Sequence, residues 1–159
     1  MNPSVYIETS IVSYLSARPS RDVVIAAHQH VTRRWWRGRG FYRLFVSQIV
    51  LDEAAVGDPE ARTRRLRALR GVPVLALTDE GTQLAGDLVR RGALPKKATV
   101  DAFHIGVAAA HQVDYLLTWN CKHLANATMR GTIETICRSA GLTPPTICTP
   151  EELPTGSSP

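Results

Sequence analysis

The chain has 159 residues and a mass of 17.4 kDa, the size of one domain able to form a core without disulfide or metal staples. Hydrophobic residues make up 44% and charged residues 21%, which excludes global disorder. No apolar run reaches the roughly 18–20 residues of a membrane span. The formal charge of +5 fits a polyanionic partner, yet the excess is confined to one half. Residues 1–70 hold twelve Arg against six acids, and residues 71–159 hold seven Lys or Arg against eight. The segment Met1 to Ser4 lacks the basic-then-apolar pattern of a secretory signal. Cys121, Cys137 and Cys148 form no C-x-x-C pair, so reduced thiols and a cytoplasmic location are expected.

In chain order, Val5-Tyr6-Ile7 is a short apolar run that reads as a buried strand ending at Glu8. Thr9 or Ser10 can cap a helix over Ile11 to Ala17, and Ser20 can open a longer one through Val24, Val31 and Trp35. Leu44 to Val46 is the next strand, followed by a helix from Gln48 to Val56. Asp58-Pro59 starts another helix, with Asp at the cap and Pro at its first position. Val74 to Leu77 predicts a third strand, and Thr78-Asp79-Glu80 opens the helix after it. Pro95 begins the most apolar helix, which runs to about His111. Tyr115 to Leu117 is a fourth strand, Ala127 to Ala140 a helix, and Ile147-Cys148 a short last strand. Residues 154–159 are rich in Pro, Gly and Ser and are expected to form a flexible tail after a single domain over 1–153.

Continuous apolar strands alternating with helices are the pattern of a parallel sheet covered on both faces. The reading is therefore α/β, a three-layer α/β/α sandwich with a central, mostly parallel sheet of four to five strands. Ligands of such sheets bind beyond the carboxyl ends of the strands, so the polar residues there matter most. Glu8 stands where phosphate binders place a glycine-rich turn, which argues against a P-loop or dinucleotide site. Glu53 falls on the helix face of Ile49 and Val50, and an inward acid needs a partner or a metal. Asp101 lies in the most apolar helix, with His104 on its face and Lys97 four residues earlier. Asn120 follows the fourth strand within Thr118-Trp119-Asn120-Cys121-Lys122-His123. Carboxylate and carbonyl oxygens suit Mg²⁺ or Mn²⁺, and such ions serve phosphodiester chemistry.

These residues carry a resemblance. "YIETS" (Tyr6 to Ser10), "VLDE" (Val50 to Glu53), "DAFHIGVAAAH" (Asp101 to His111) and "DYLLTWNCKHL" (Asp114 to Leu124) occur in an order that resembles the PIN-domain family. The likeness is greatest to the VapC-like toxin ribonucleases of type II toxin–antitoxin systems, and it spans about residues 4–152. It implies an acidic Mg²⁺ or Mn²⁺ site that cleaves RNA, an antitoxin partner and a homodimer. Carried over position by position, Glu8, Glu53 and Asp101 would be metal ligands, and Asn120 would complete the catalytic set. Thr9, Ser10, His104 and Thr118 would support it. Two positions depart from the family pattern: Glu8 replaces a shorter Asp, and Asn120 replaces an acid. A catalytically weak or inactive PIN-like module that binds RNA or protein is therefore the alternative.

Arg33, Arg34, Arg37, Arg39 and Arg43 flank Trp35-Trp36, a composition able to hold phosphates and stack bases. The same residues equally describe an amphipathic helix with one Trp buried. The run Arg62, Arg64, Arg65, Arg67 and Arg70 reads first as a solvated helix face. Cys121-x-His123 offers a thiol but no base or orienting group, and a flavodoxin-like nucleotide binder lacks its glycine loop.

Overall fold

The computed structural model describes residues 1–156. Its elements are β1 (Ser4–Ile7), α1 (Thr9–Ser16), α2 (Val23–Arg37), β2 (Arg43–Ser47), α3 (Gln48–Ala54) and α4 (Pro59–Ala68). They continue with β3 (Val74–Leu75), α5 (Asp79–Arg90), α6 (Thr99–Ala110), β4 (Tyr115–Leu117), α7 (Ala127–Ser139) and β5 (Thr146–Cys148). The strands form one five-stranded sheet in the order β3-β2-β1-β4-β5, and every pairing is parallel. The helices pack in two groups, α1 with α2, α3 and α4, and α5 with α6 and α7, while α3 also touches α6. This is the expected α/β sandwich, with the sheet wholly rather than mostly parallel.

Strand β1 is the centre of the core: Val5, Tyr6 and Ile7 have no exposed surface. It runs between β2 and β4, so the chain order reverses direction across the sheet at β1. At the ends of β1 and β4 the Glu8 N–H donates to the Leu117 carbonyl at 3.1 Å, at the kind of switch point beside which such sheets bind their ligands. Glu8 and Thr118 are the first residues beyond those two ends.

Local differences from the sequence expectation have identifiable causes. The cap of α1 is Glu8 itself, whose carboxylate accepts the Ser10 N–H at 3.0 Å. Helix α2 starts two residues later than Ser20 suggests, because Asp22 accepts the Ile25 N–H while Ser20 accepts the Asp22 N–H. Strand β3 stops at Leu75, where its ladder with Ser47 ends, and the carbonyl of Ala76 instead meets the His111 ring at 2.8 Å. A 3-10 turn at Lys96–Ala98 separates Pro95 from α6. Of the expected tail, Pro154 accepts from the Tyr42 hydroxyl and Gly156 lies against Phe41, while residues 157–159 lie outside the described residues.

Two contacts fix how α6 and β1 sit. At the crossing of α5 and α6, a Cβ on Gly81 would stand 2.9 Å from the carbonyl oxygen of Gly106, and a Cβ on Gly106 would strike that of Gly81. The two backbones therefore touch directly. At the start of β1, Ser4 donates its N–H and hydroxyl to Asp114 at 2.8 and 2.7 Å and accepts the Asp114 N–H at 2.9 Å. The two Ser4 bonds hold the Asp114 carboxyl below its ordinary value of 3.8.

Gly106→Ala should destabilise the protein by about 1–3 kcal/mol in urea denaturation, since two helices must part to admit the methyl. Gly86→Ala, at an open and exposed position of α5, should instead stabilise by about 0.4–1 kcal/mol. Ser4→Ala should cost about 1 kcal/mol at neutral pH. Asp114 has a depressed folded-state pKa, so its contribution is complete above 3.8 and fades as pH falls through the lower value. The Ser4→Ala penalty should therefore shrink in acid.

Candidate metal centre

Glu8 extends from the end of β1 and is only 5% exposed. Three donors converge on its Oε2: the Ser10 N–H at 3.0 Å, the Ser10 hydroxyl, and the Thr118 hydroxyl at 2.7 Å. The glutamate's extra methylene lets the carboxylate fold back onto the first turn of α1, where the helix dipole favours negative charge. Ser10 and Thr118 are fixed in turn by the N–H groups of Trp119 and Asn120, at 2.8 and 2.9 Å. Trp119 is anchored through its indole N–H to Thr32 at 2.7 Å and by stacking on His28, with ring centroids 4.0 Å apart.

Glu53 reaches the same place from α3. It is not the inward-facing acid its helical spacing predicts: its side chain is 39% exposed, and it stands at the rim. Seven residues of α3 are too few to bury a full face, and only Val50 and Ala54 are buried. Its Oε1 accepts the Thr9 hydroxyl at 2.6 Å and pairs with His104 Nε2 at 2.7 Å. Desolvation is the largest single influence on Glu53 and pushes its carboxyl up. The bonds from His104 and Thr9, with the attraction of the His104 ring, together outweigh it and hold the group below its usual 4.5.

Ligand atoms of Glu8, Glu53 and His104 all lie within 4.8 Å of one another. The two carboxylates share a further property. Among the described residues, hydrogen bonds go to Glu8 Oε2 and Glu53 Oε1, while Glu8 Oε1 and Glu53 Oε2 receive none. Each glutamate thus has one oxygen tied to the protein and one left for a ligand. Two carboxylates and an imidazole with ligand atoms this close, each carboxylate with an oxygen to spare, form a donor set that fits a divalent metal.

Asp101 stands beside this group and outside the 4.8 Å cluster. Neither His104 nor Lys97, its neighbours along the chain, pairs with it. Asn120 Nδ2 donates to its Oδ1 at 3.1 Å, and His123 Nδ1 meets its Oδ2 at 3.1 Å. His123 also donates its N–H to Asn120 Oδ1 at 3.1 Å, closing a three-residue ring. Thr118 links this ring to Glu8, because its hydroxyl accepts from Asn120 and donates to the carboxylate. Asn120 therefore acts as a donor to Asp101, a role that an acid at that position could not fill.

His123, Tyr6 and Ser47 escaped the sequence reading. His104 Nδ1 meets the Tyr6 hydroxyl at 2.7 Å, and that hydroxyl meets Ser47 Oγ at 2.7 Å. A tyrosine in an otherwise aliphatic central strand was the available signal, since its hydroxyl must find a partner. The arginines around Trp35 serve the backbone more than the surface. Arg33 donates to the carbonyls of Leu15 and Ala17, Arg39 to that of Trp36, and Arg43 to that of Asn2. Trp35 is buried, and Arg39 lies 4.5 Å over the Trp36 ring. On α4 and just beyond it, the side chains of Arg62, Arg67 and Arg70 make no hydrogen bond or ion pair among the described residues and line one open cavity with Leu66.

The depressed pKa of Glu53 has a pH signature. Stability that depends on its ionised form is complete above 4.5 and is lost as pH falls through the lower folded-state value. Glu53→Gln should flatten this part of the stability–pH curve in urea denaturation. Because the group is more than a third exposed, the effect should stay near or below about 1 kcal/mol.

No known family profile matches the sequence, and neither does any curated protein. Solved structures do match. VapC20 of Mycobacterium tuberculosis, a Sarcin-Ricin loop cleaving toxin, superposes with a TM-score of 0.58 at 17% identity, over 76% of this chain and 92% of that one. VapBC2 from Rickettsia felis, bound to a DNA fragment from their promoter, gives 0.57 at 15% identity, over 91% and 97%. The chain thus shares the fold of VapC toxins, the PIN-like architecture that its motifs resemble.

Proposed function

We propose that the protein is a metal-dependent endoribonuclease that acts as the toxin of a toxin–antitoxin pair. The observation that carries this reading is the pair of glutamates, Glu8 at the end of β1 and Glu53 on α3, each with one oxygen that takes no hydrogen bond among the described residues and with ligand atoms within 4.8 Å of each other. Glu8 and Glu53 would hold Mg²⁺ or Mn²⁺. Asp101, oriented by Asn120 and His123, would complete the site or position the attacking water. A bound divalent ion supplies Lewis acidity toward the phosphate and a lowered pKa for that water. Thr9, Ser10, Thr118 and His104 keep the two glutamates in place before the ion arrives.

The fold likeness to VapC toxins supports an RNA substrate and a protein antitoxin, and a toxin of this kind would act in the cytoplasm. Arg62, Arg67 and Arg70 supply cations without acidic partners, suited to draw a polyanion toward the molecule. A homodimer is the expected assembly. An open apolar groove of about 1000 Å³, lined by Ala85, Val89, Leu94, Phe103 and Met129, offers a surface for it.

A second reading has its own support. Asp101 has both oxygens engaged by Asn120 and His123, and Asn120 removes one negative charge relative to the family pattern. A PIN-like module that binds RNA or protein without cutting would look like this.

Purified protein with Mn²⁺ and a panel of structured RNAs separates the two. Cleavage should require Mn²⁺ or Mg²⁺ and should fall at least about 100-fold in Asp101→Ala and Glu53→Gln, as expected when a charge-stabilising group is lost. Metal-dependent cutting that persists in Asp101→Ala would sink the assignment. Calorimetric Mn²⁺ binding that is absent from the wild-type protein would favour the binding module.

A further inference from the structure

We propose that Arg65 is a positioning residue: it closes the open end of α3 and so holds Glu53 at the distance from Glu8 that a shared cation requires. The proposal rests on the metal-site reading above. It gives a role to an arginine from a basic run whose first reading was a solvated helix face.

Helix α3 is only seven residues long, and a helix of that length does not stand by itself in water. Its N-cap, Ser47, makes no capping bond, its hydroxyl being engaged with Tyr6 instead. At the other end, the last four carbonyls of any α-helix lack partners within it. Glu53 sits in that last turn, one residue before the end. Arg65, from the middle of α4, folds back over this end. Its Nε donates to the Ala54 carbonyl at 2.8 Å, and its Nη2 donates to the carbonyl of Val56. Among the described residues no other side chain donates to either carbonyl. A guanidinium also suits the negative end of the helix dipole. The fork can reach because the link between the two helices is short. Gly57 takes a φ of +94°, which turns the chain from α3 into the cap of α4, where Asp58 accepts the Ala61 N–H at 2.9 Å.

Its neighbour Arg64 treats α1 in the same way, donating from Nε to the Ser16 carbonyl at 3.0 Å. The consequences differ. Arg33 also donates to the carbonyls of Leu15 and Ala17, so the end of α1 is held by two arginines. Glu8 lies at the opposite end of α1, directly after Val5, Tyr6 and Ile7, which have no exposed surface. Glu8 is thus held by the sheet, whereas Glu53 is held through α3. The spacing of the two carboxylates is set by one fixed and one adjustable position, and Arg65 governs the adjustable one. If the last turn of α3 unwinds, Glu53 leaves the Thr9 hydroxyl, and the group of ligand atoms within 4.8 Å opens. Outer groups that orient a ligand in this way govern metal affinity.

Two measurements on the intact protein test this. The Ala55 and Val56 amides bond to the carbonyls of Leu51 and Glu53 and report on the last turn of α3. In hydrogen exchange of the metal-free protein, Arg65→Met should lower their protection by at least about tenfold, while the amides of β1 lose less. In calorimetry, Arg65→Met should weaken Mn²⁺ binding by about 10–100-fold. Arg64→Met removes a comparable bond at α1 and should leave both readings within about twofold of wild type. If Arg65→Met does not fold, Arg65→Lys, which keeps the charge but not the fork, carries the same two readings at smaller amplitude. Equal loss of protection in α3 and β1, or unchanged Mn²⁺ affinity in a folded Arg65 variant, would overturn the proposal. So would equal losses of affinity in the Arg64 and Arg65 variants. Failure of the wild-type protein to bind Mn²⁺ at all would instead overturn the metal-site reading, and hydrogen exchange would still decide whether Arg65 closes α3.

Discussion

A phenol hydroxyl buried in the central strand of a parallel sheet must be hydrogen-bonded, because leaving it unpaired costs about 1–3 kcal/mol. Much of the site's geometry follows from how this chain meets that demand at Tyr6. Its partners come from the end of β2, through Ser47, and from α6, through His104. The ring then hands the constraint on to Glu53 in α3. One polar line thus fastens two strands and two helices at the strand ends, where the sheet order reverses. The same groups that satisfy the core also set the position of a rim carboxylate.

The arrangement of charge follows a similar economy. Glu8 is buried yet receives three donors on one oxygen, and Asp101 receives one on each of its two. Ser10 and Thr118 hold Glu8, Asn120 and His123 hold Asp101, and Thr9 and His104 hold Glu53, so three acids stay close together. Asn120 contributes by lacking a charge. The basic residues are elsewhere: Arg33, Arg39, Arg43, Arg64 and Arg65 donate to backbone carbonyls, while Arg62, Arg67 and Arg70 cluster around one open cavity without such bonds among the described residues.

The architecture was legible because the buried strands read as unbroken apolar runs, Val5 to Ile7 and Tyr115 to Leu117 among them, with polar clusters after each. The positions of Glu8 and Asn120 at strand ends could be read the same way. Partnerships could not. Helical spacing sees only neighbours three or four residues away, so it offered His104 and Lys97 to Asp101. The structure supplies Asn120 and His123 from the loop after β4, about twenty residues along the chain. Glu53 was misjudged because a face predicted from periodicity assumes a helix long enough to bury one, and α3 makes two turns. Tyr6 was counted as apolar, which conceals the hydroxyl that organises the interior.

The bare backbone contact between Gly81 and Gly106 gives α6 a fixed datum. Most helices are seated by side chains, whose shapes can drift and be compensated by their neighbours. Here one peptide carbonyl rests against another helix with nothing interposed, so the seating height is set by main-chain atoms alone. The helix so registered carries both Asp101 and His104. Solvent-facing side chains of α5 and α6 can therefore be exchanged while the acid and the imidazole keep their level on the helix.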